Sequence, residues 1–462
     1  MLFNSLPFLY FFLPITYFVF WWLRTKLQRY VWLTITGYVF YSYRNPKYCL
    51  LMALSTAVSY GAGLGFLRWT DRRRRRICLV LPIVFDLSLL AVFKYANFAS
   101  SSVNWLFQAS HSNLRAPIFD IALPIGISFY TFHTITYIVD SYRGVIKPTR
   151  NIFEFSCYVS LFSQLVAGPI VRFRQIEGDL ENIDHTNQAS GLERGWSFFV
   201  IGMVKKVLIA DSIAQIINPA LAQWQSLSTL GTWLCVLGYS YQLYFDFSGY
   251  SDMAVGLGAM FGLRLPQNFN SPYKAEDISD FWGRWHISLS TVLRDYLYFP
   301  LGGSRCGKWR TSLNLMITML LGGLWHGANW TFVVWGAYHG SLLVATRFSK
   351  DMLDRWPIAL RKTVTFLLVV IGWVIFRATD FSMAAGLLRT MFSWRPGIHI
   401  DTWQTLVALM LIAGGLAHFG PNTFELQHQW RPVPALALGV LFLICIVFIY
   451  GGRQSPFLYF QF

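Results

Sequence analysis

Apolar residues run along this chain in long blocks, without the strict alternation of a half-buried strand. The blocks fall near residues 5–23, 30–43, 47–67, 77–98, 119–139, 152–170, 196–217, 229–250, 312–328, 330–347, 363–377, 403–420 and 433–450. Stretches such as Leu6 to Leu23 and Ala435 to Tyr450 are apolar on every side, as a membrane-spanning helix requires and a strand of a polar-lined barrel does not. The pattern predicts an all-α polytopic membrane protein of roughly 11 to 13 transmembrane or re-entrant helices. No internal repeat or separate soluble region interrupts it, so residues 1–462 read as a single integral-membrane unit.

The charges between the blocks set a topology. Arg68 to Arg76 and the cluster Arg24, Lys26 and Arg29 mark the cytoplasmic side, which puts the N-terminus outside. Continuing, Ser100 to Asn113 falls outside and Arg143, Lys147 and Arg150 inside. Arg305, Lys308 and Arg310 also belong inside, yet three apolar blocks intervene. One block must therefore be re-entrant, or pair with the short run Met253 to Leu263. Broken backbone is tolerated in a bilayer only where protein buries it or it lines a wet cavity, so a cavity is expected between residues 150 and 310. The polar, aromatic-rich stretch Pro266 to Ser304 reads as amphipathic helices at the cytoplasmic interface with their rings at headgroup level, a soluble loop being the alternative. No positive charge precedes Arg24 and no small-residue cleavage site follows the first block, so that block reads as a retained span.

Composition agrees: 55% of residues are hydrophobic and 13% charged, where a soluble domain carries roughly 25% charged residues. The 38 Lys and Arg against 22 Asp and Glu give a net charge of +16, which cytoplasmic loops explain without a nucleic-acid partner. The cysteines, Cys49, Cys78, Cys157, Cys235, Cys306 and Cys445, form no Cys-x-x-Cys pair and suggest no metal.

His326, in Gly322-Gly323-Leu324-Trp325-His326-Gly327-Ala328-Asn329-Trp330, is the first chemical candidate. A helix starting near Thr311 would carry it ~22 Å into a hydrocarbon core of ~30 Å. An ionisable group at that depth is a functional candidate, and imidazole suits general-base catalysis of acyl transfer. The flanking glycines leave room for a substrate, and Asn329 could fix the ring. Equally, a neighbouring helix could satisfy the histidine while the glycines serve helix packing; the residues alone leave both readings open. His286, in Phe281-Trp282-Gly283-Arg284-Trp285-His286-Ile287-Ser288, should face the cytoplasmic end of the same cavity. Arg284 and Arg294 could hold donor phosphates by bidentate pairing or snorkel at the surface. Asp246 and Asp252 could bind substrate hydroxyls; pairing with Lys205 and Lys206 is the favoured reading. His133, Asp140 and Arg143 read as structural. His339, 13 residues beyond His326, lacks the further ligands a metal site would need. There is no Gly-x-Gly-x-x-Gly fingerprint and no Gly-x-Ser-x-Gly elbow, which gives a covalent serine mechanism no support.

Taken together the strings resemble the membrane-bound O-acyltransferase superfamily, in its bacterial branch serving alginate O-acetylation and teichoic-acid D-alanylation. Phe281 to Ser290 with Leu293 to Tyr298, and Leu320 to Trp330, carry the resemblance. Around them stand Ala167 to Arg172, Lys205 to Asp211, Tyr244 to Asp252, Gly372 to Arg377 and Phe457 to Phe462, covering nearly the whole chain in order. The resemblance implies a helical fold pierced by funnels from both faces. It puts His326 at the catalytic constriction and His286 on its cytoplasmic side; Trp325, Asn329, Asp246 and Asp252 are the candidates to support them. An acyl group would pass from a cytoplasmic thioester, such as acetyl-CoA, to an acceptor outside, with no bound cofactor and no metal. His326 would accept the hydroxyl proton, His286 would position donor or acyl group, and Arg284 and Arg294 would lie near donor phosphates. Implied partners are an extracytoplasmic acetyltransferase or acyl-relay protein, a polysaccharide synthase or export complex, and the lipid bilayer of a bacterial inner membrane. The expected product is an O-acetylated exported polysaccharide such as alginate or cellulose. His133 departs from the family, which usually has glutamine there. Two rival classes are a transporter or flippase, which related internal halves would favour, and a scaffold of a polysaccharide export complex.

Overall fold

A computed structural model describes residues 1–462 except 44, 167, 453–457 and 459–462. Of the family-like strings, Ala167, Phe457 and the residues from Tyr459 to Phe462 therefore lie outside the described residues. Among the described residues every regular element is helical. Four helical stretches are long and apolar enough to cross a membrane: Pro46–Arg68, Arg72–Ala109, Ile358–Arg377 and Pro432–Tyr450. By internal contacts the chain divides into two compact units, residues 1–192 with 257–266, and residues 193–256 with 267–462.

The first unit contains α1 (Leu13–Trp22), α2 (Lys26–Ser42), α3 (Cys49–Arg68), α4 (Arg72–Leu90), α5 (Ala96–Ala109), α6 (Ile127–Arg143), α7 (Ile152–Ser160), α8 (Phe162–Leu165) and α9 (Phe173–Glu181). Asp71 caps α4 by accepting from the Arg74 amide. Arg75, inside the basic run, reaches back to the carbonyls of Phe66 and Tyr142. Two expectations are corrected here. The block 119–139 becomes helical only at Ile127, because Pro124 precedes it and Gly126 adopts the left-handed conformation at φ 82°. The block 152–170 is broken at Leu161 into two short helices. Tyr158 holds the break by donating to the carbonyl of Val171, while Gln164 donates to the carbonyl of Tyr158. Buried, hydrogen-bonded irregular backbone is what a bilayer permits. His133 is fully buried beside Tyr158, with ring centroids 5.6 Å apart.

The second unit is built on α11 (Asp211–Ala222), α13 (Ile278–Arg284), α14 (Ile287–Leu293), α15 (Gly307–His326), α16 (Trp330–Phe348), α17 (Lys350–Leu353), α18 (Ile358–Arg377), α19 (Phe381–Phe392), α20 (Trp403–His418) and α21 (Pro432–Tyr450). Two further helices, α10 (Gln188–Met203) and α12 (Thr229–Met260), contribute most of their length to it. The run from Met253 is a continuation of α12 and not a separate element: Gly256 stays helical, seated against the Gly195 carbonyl, and the helix stops only at the turn holding Gly262. The region 266–304 also departs from expectation. Its helices are short, and Phe281, Trp285 and His286 are buried inside protein and do not form an exposed aromatic face. Their rings pack inward, Trp285 on Trp373 at 4.8 Å and Phe281 near His339 at 6.2 Å between centroids, which removes more apolar surface than an interfacial position would.

Candidate active site

His326 ends α15, and the hairpin to α16 is closed by an unusually near approach of the two helices. A Cβ on Gly323 would come within 2.2 Å of the Phe332 carbonyl oxygen, and one on Gly336 within 2.3 Å of that of Met319. Gly322, one residue away, faces a cavity instead. Adjacent glycines of the string thus differ in place, Gly323 at the helix–helix contact and Gly322 on the cavity wall.

That cavity has a volume of about 780 Å³. From α15 it is lined by Leu315, Thr318, Met319, Gly322 and His326, and from α16 and α17 by Trp335, Leu343, Thr346, Arg347 and Lys350. The α15 positions recur at three- and four-residue spacing, so they form one face. Leu315 to His326 alone spans about 16 Å of helix. α13, α14 and the π-helical turn Arg294–Tyr298 close the other side through Asp280, Trp282, Leu293, Arg294 and Tyr298. One end of the cavity is cationic and solvent-exposed at Arg294, Arg347 and Lys350, whereas His326 and Trp335 are buried. Of the 22 residues that line the cavity, twelve lie between 277 and 298, within the 150–310 expected from charge counting, and α15, α16 and α17 supply the other ten.

His286 lies beside His326, with ring centroids 6.5 Å apart, but it is buried and not among the residues that line the cavity. The turn between α13 and α14 brings it there: His286 takes a left-handed conformation, φ 43° and ψ 53°, at an expense of order 1–3 kcal/mol for a non-glycine residue. Asn268 clamps the turn. Its carbonyl accepts from the Ile287 amide at 2.9 Å, and its side-chain oxygen lies 3.0 Å from His286 Nδ1 and 3.2 Å from the Ser288 amide. Aromatic rings surround the pair. His326 packs against Trp325, Trp335 and Phe376 at 5.1, 5.2 and 5.4 Å, and Trp325 also stands 6.2 Å from His286.

The other expected residues divide. Arg294 lines the cavity, salt-bridged to Asp295 at 2.8 Å. Arg284 is not among the lining residues; it bonds Asp280 at 2.7 Å and the Asn270 carbonyl at 3.3 Å. Asn329, expected to fix the His326 ring, instead caps α16 by accepting from Thr331 and donates to the Thr379 carbonyl. A residue three positions past the helix end suits capping better than it suits reaching back to the ring. Asp252 pairs with Lys205 at 2.6 Å, and Asp246 with Lys206 at 2.5 Å. Lys206 also bonds Asp211 at 2.8 Å, and Asp246 accepts from the Leu458 amide at 2.9 Å. His339 lies under the site with Trp335 between it and His326, 4.9 Å from the Trp335 ring. Sequence reading missed Arg347 and Lys350, whose only signal was their place at the end of an apolar block, and Asn268, which gave none.

Comparisons with known proteins place the chain in a family. The profile of the membrane-bound O-acyltransferase family matches residues 140–385, which include the whole cavity. The "Probable alginate O-acetylase AlgI" of Pseudomonas aeruginosa is 44% identical over 95% of this chain and 85% of that protein. The "Peptidoglycan O-acetyltransferase" of Helicobacter pylori is 32% identical over 100% of this chain and 98% of its own length. The "Teichoic acid D-alanyltransferase" of Bacillus subtilis is 29% identical over 60% of this chain and 74% of its own length. With its apolar helices, a cavity ending on a buried histidine and a family match across that region, this chain is a multi-pass membrane protein of the membrane-bound O-acyltransferase family.

Proposed function

We propose that the protein takes an acetyl group from a cytoplasmic acyl thioester and passes it across the membrane for O-acetylation of an exported polysaccharide, such as alginate or cellulose. The observation that carries this reading is the single cavity joining an exposed cationic end, at Arg294, Arg347 and Lys350, to buried His326. Guanidinium and ammonium groups there suit the phosphates of a coenzyme A donor, whose thioester arm would extend toward the imidazole. His326 then accepts the proton of the attacking hydroxyl. Arg284, held by Asp280, supports the turn that carries His286 and is not assigned to the phosphates. The acceptor class is supported by the relatives, whose names refer to alginate and peptidoglycan acetylation.

The donor is consumed as substrate, so no resident cofactor or metal is assigned. An extracytoplasmic acetyltransferase or acyl-relay protein would complete delivery beside a polysaccharide synthase or export complex. The basic loop Arg68 to Arg76 and the cluster at Arg24, Lys26 and Arg29 support a bacterial inner-membrane location with the N-terminus outside.

The test is His326→Ala in membrane vesicles supplied with radiolabelled acetyl thioester. Label transfer should vanish while the protein remains in the membrane at normal abundance. Undiminished transfer would overturn the assignment, and it is also what a purely scaffolding role requires.

A further inference from the structure

Asn268 decides which nitrogen of His286 carries the hydrogen. Its Oδ1 lies 3.0 Å from His286 Nδ1, 3.2 Å from the Ser288 amide nitrogen and 2.8 Å from Ser288 Oγ. A backbone N–H can only donate, so the atom facing it must be the amide oxygen and not the amide nitrogen. The Nδ2 of Asn268 meanwhile donates to Ser251 Oγ at 3.1 Å. An oxygen that accepts can be met at Nδ1 only by an N–H. In a neutral imidazole the other nitrogen then keeps a bare lone pair, and His286 Nε2 is buried with no hydrogen-bond partner among the described residues. An imidazolium would bury uncompensated charge against Phe247 and Phe269, whose rings lie 4.7 and 6.3 Å away, so the neutral form is the one held.

We infer that Asn268 is a positioning residue for acyl transfer: it locks His286 as the Nδ1–H tautomer, so that Nε2 accepts a hydrogen bond from a hydroxylated acceptor and donates none to the thioester carbonyl. This rests on the acyltransferase reading of the site and divides the work between the histidines. The attacking hydroxyl gives its proton to His326 as its oxygen bonds the acyl carbon. The carbon–sulfur bond breaks, and the departing thiolate takes that proton back from His326. His286 exchanges no proton and aims the acceptor through a second hydroxyl. With centroids 6.5 Å apart the two rings cannot bond each other, since a hydrogen bond needs about 3 Å between heavy atoms, and His326 lines the cavity while His286 stands just behind its wall.

Solid-state NMR of the full-length protein, labelled with ¹⁵N-histidine in lipid bilayers, reads the tautomer directly. The His286 signals are identified by their loss in His286→Gln. Nδ1 should be protonated and Nε2 unprotonated; a wild-type Nε2–H form overturns the inference. Asn268→Leu removes the oxygen and should mix or reverse the tautomers, lowering kcat about 10- to 100-fold, the scale usual for partners that orient a histidine, with KM for acetyl-CoA unchanged. Asn268→Asp keeps an acceptor oxygen and should restore both the tautomer and most of kcat. If Asn268→Leu does not accumulate, the wild-type and Asn268→Asp spectra still decide. A changed tautomer with full kcat removes the positioning role. Wild-type protein that holds the Nδ1–H form yet transfers nothing from any thioester defeats the acyltransferase reading and leaves the tautomer assignment standing.

Discussion

Gly323 and Phe332 meet so closely that a methyl group on the glycine would stand 2.2 Å from the phenylalanine carbonyl oxygen. The obstacle is backbone on the facing helix and cannot swing away. Gly323→Ala should therefore cost more than about 3 kcal/mol, the upper end of ordinary overpacking, and lower the Tm of the detergent-solubilised protein sharply. At Gly322 a methyl would meet only the Leu293 Cδ1, at 3.1 Å. Gly322→Ala should keep the fold and narrow the cavity, so that transfer falls while Tm holds. Equal Tm losses at the two positions would refute this division.

The cationic end of the cavity should be separable from the chemistry. Removing one charged partner from a phosphate is worth about 1.5–3 kcal/mol, so Arg347→Gln or Lys350→Gln should raise KM for acetyl-CoA about tenfold or more, with kcat little changed. Because both residues are exposed, the effect should shrink as salt is added. Arg284→Gln should act on stability instead; a KM effect there equal to that of Arg347→Gln would contradict the assignment.

Lys206 sits between Asp211 and Asp246, and all three side chains are no more than 1% exposed. Lys206→Met leaves two buried carboxylates without their cation, for which a loss of about 3–5 kcal/mol is expected. Adding Asp211→Asn and Asp246→Asn should recover most of that loss. Thermal unfolding of the single and triple variants measures the coupling, and simple additivity would show that the three do not act together.

Asp380 caps α19, and the Met383 amide it accepts from, aided by Thr379 and Ser382, holds its carboxyl below the usual carboxylate range. A folded-state pKa that is depressed contributes stability above the unfolded value and loses it as the pH falls through the folded one. The contribution should be complete above about pH 4 and fade in more acidic solution. Asp380→Ala should cost about 1 kcal/mol at neutral pH. Asp380→Asn should keep much of the cap and lose its acid sensitivity, which unfolding curves at several pH values would reveal.

The apolar blocks were legible because a bilayer imposes one local rule on every spanning helix, and that rule is written in consecutive residues. The irregular stretch was legible only as a mismatch of charges. Its location at Leu161 follows from tertiary bonds of Tyr158 and Gln164, which no local pattern encodes. His326 was legible as an ionisable group at depth. The meeting of His286 with it was not, since 40 positions of chain and a left-handed turn intervene. The apolar weight of Phe281, Trp282 and Trp285 was the one hint that their segment folds inward. Asn329 misled because a polar residue near a histidine suggests a partner, while a residue just before a helix more often serves its first amides.

The π-helical stretch Val204–Ala210 carries both lysines of the buried ion pairs and leads directly into α11. Such a wide turn accommodates an extra residue in the helical register. Because the wide turn absorbs that residue, excising one position would let the segment relax to ordinary winding while α11 keeps its register. Ile213, Ala214 and Ile217, now buried, would stay on their seats, and the lysines would be re-aimed away from Asp211, Asp246 and Asp252. The extra residue of this stretch therefore serves the ion pairs and not the packing of the helix that follows.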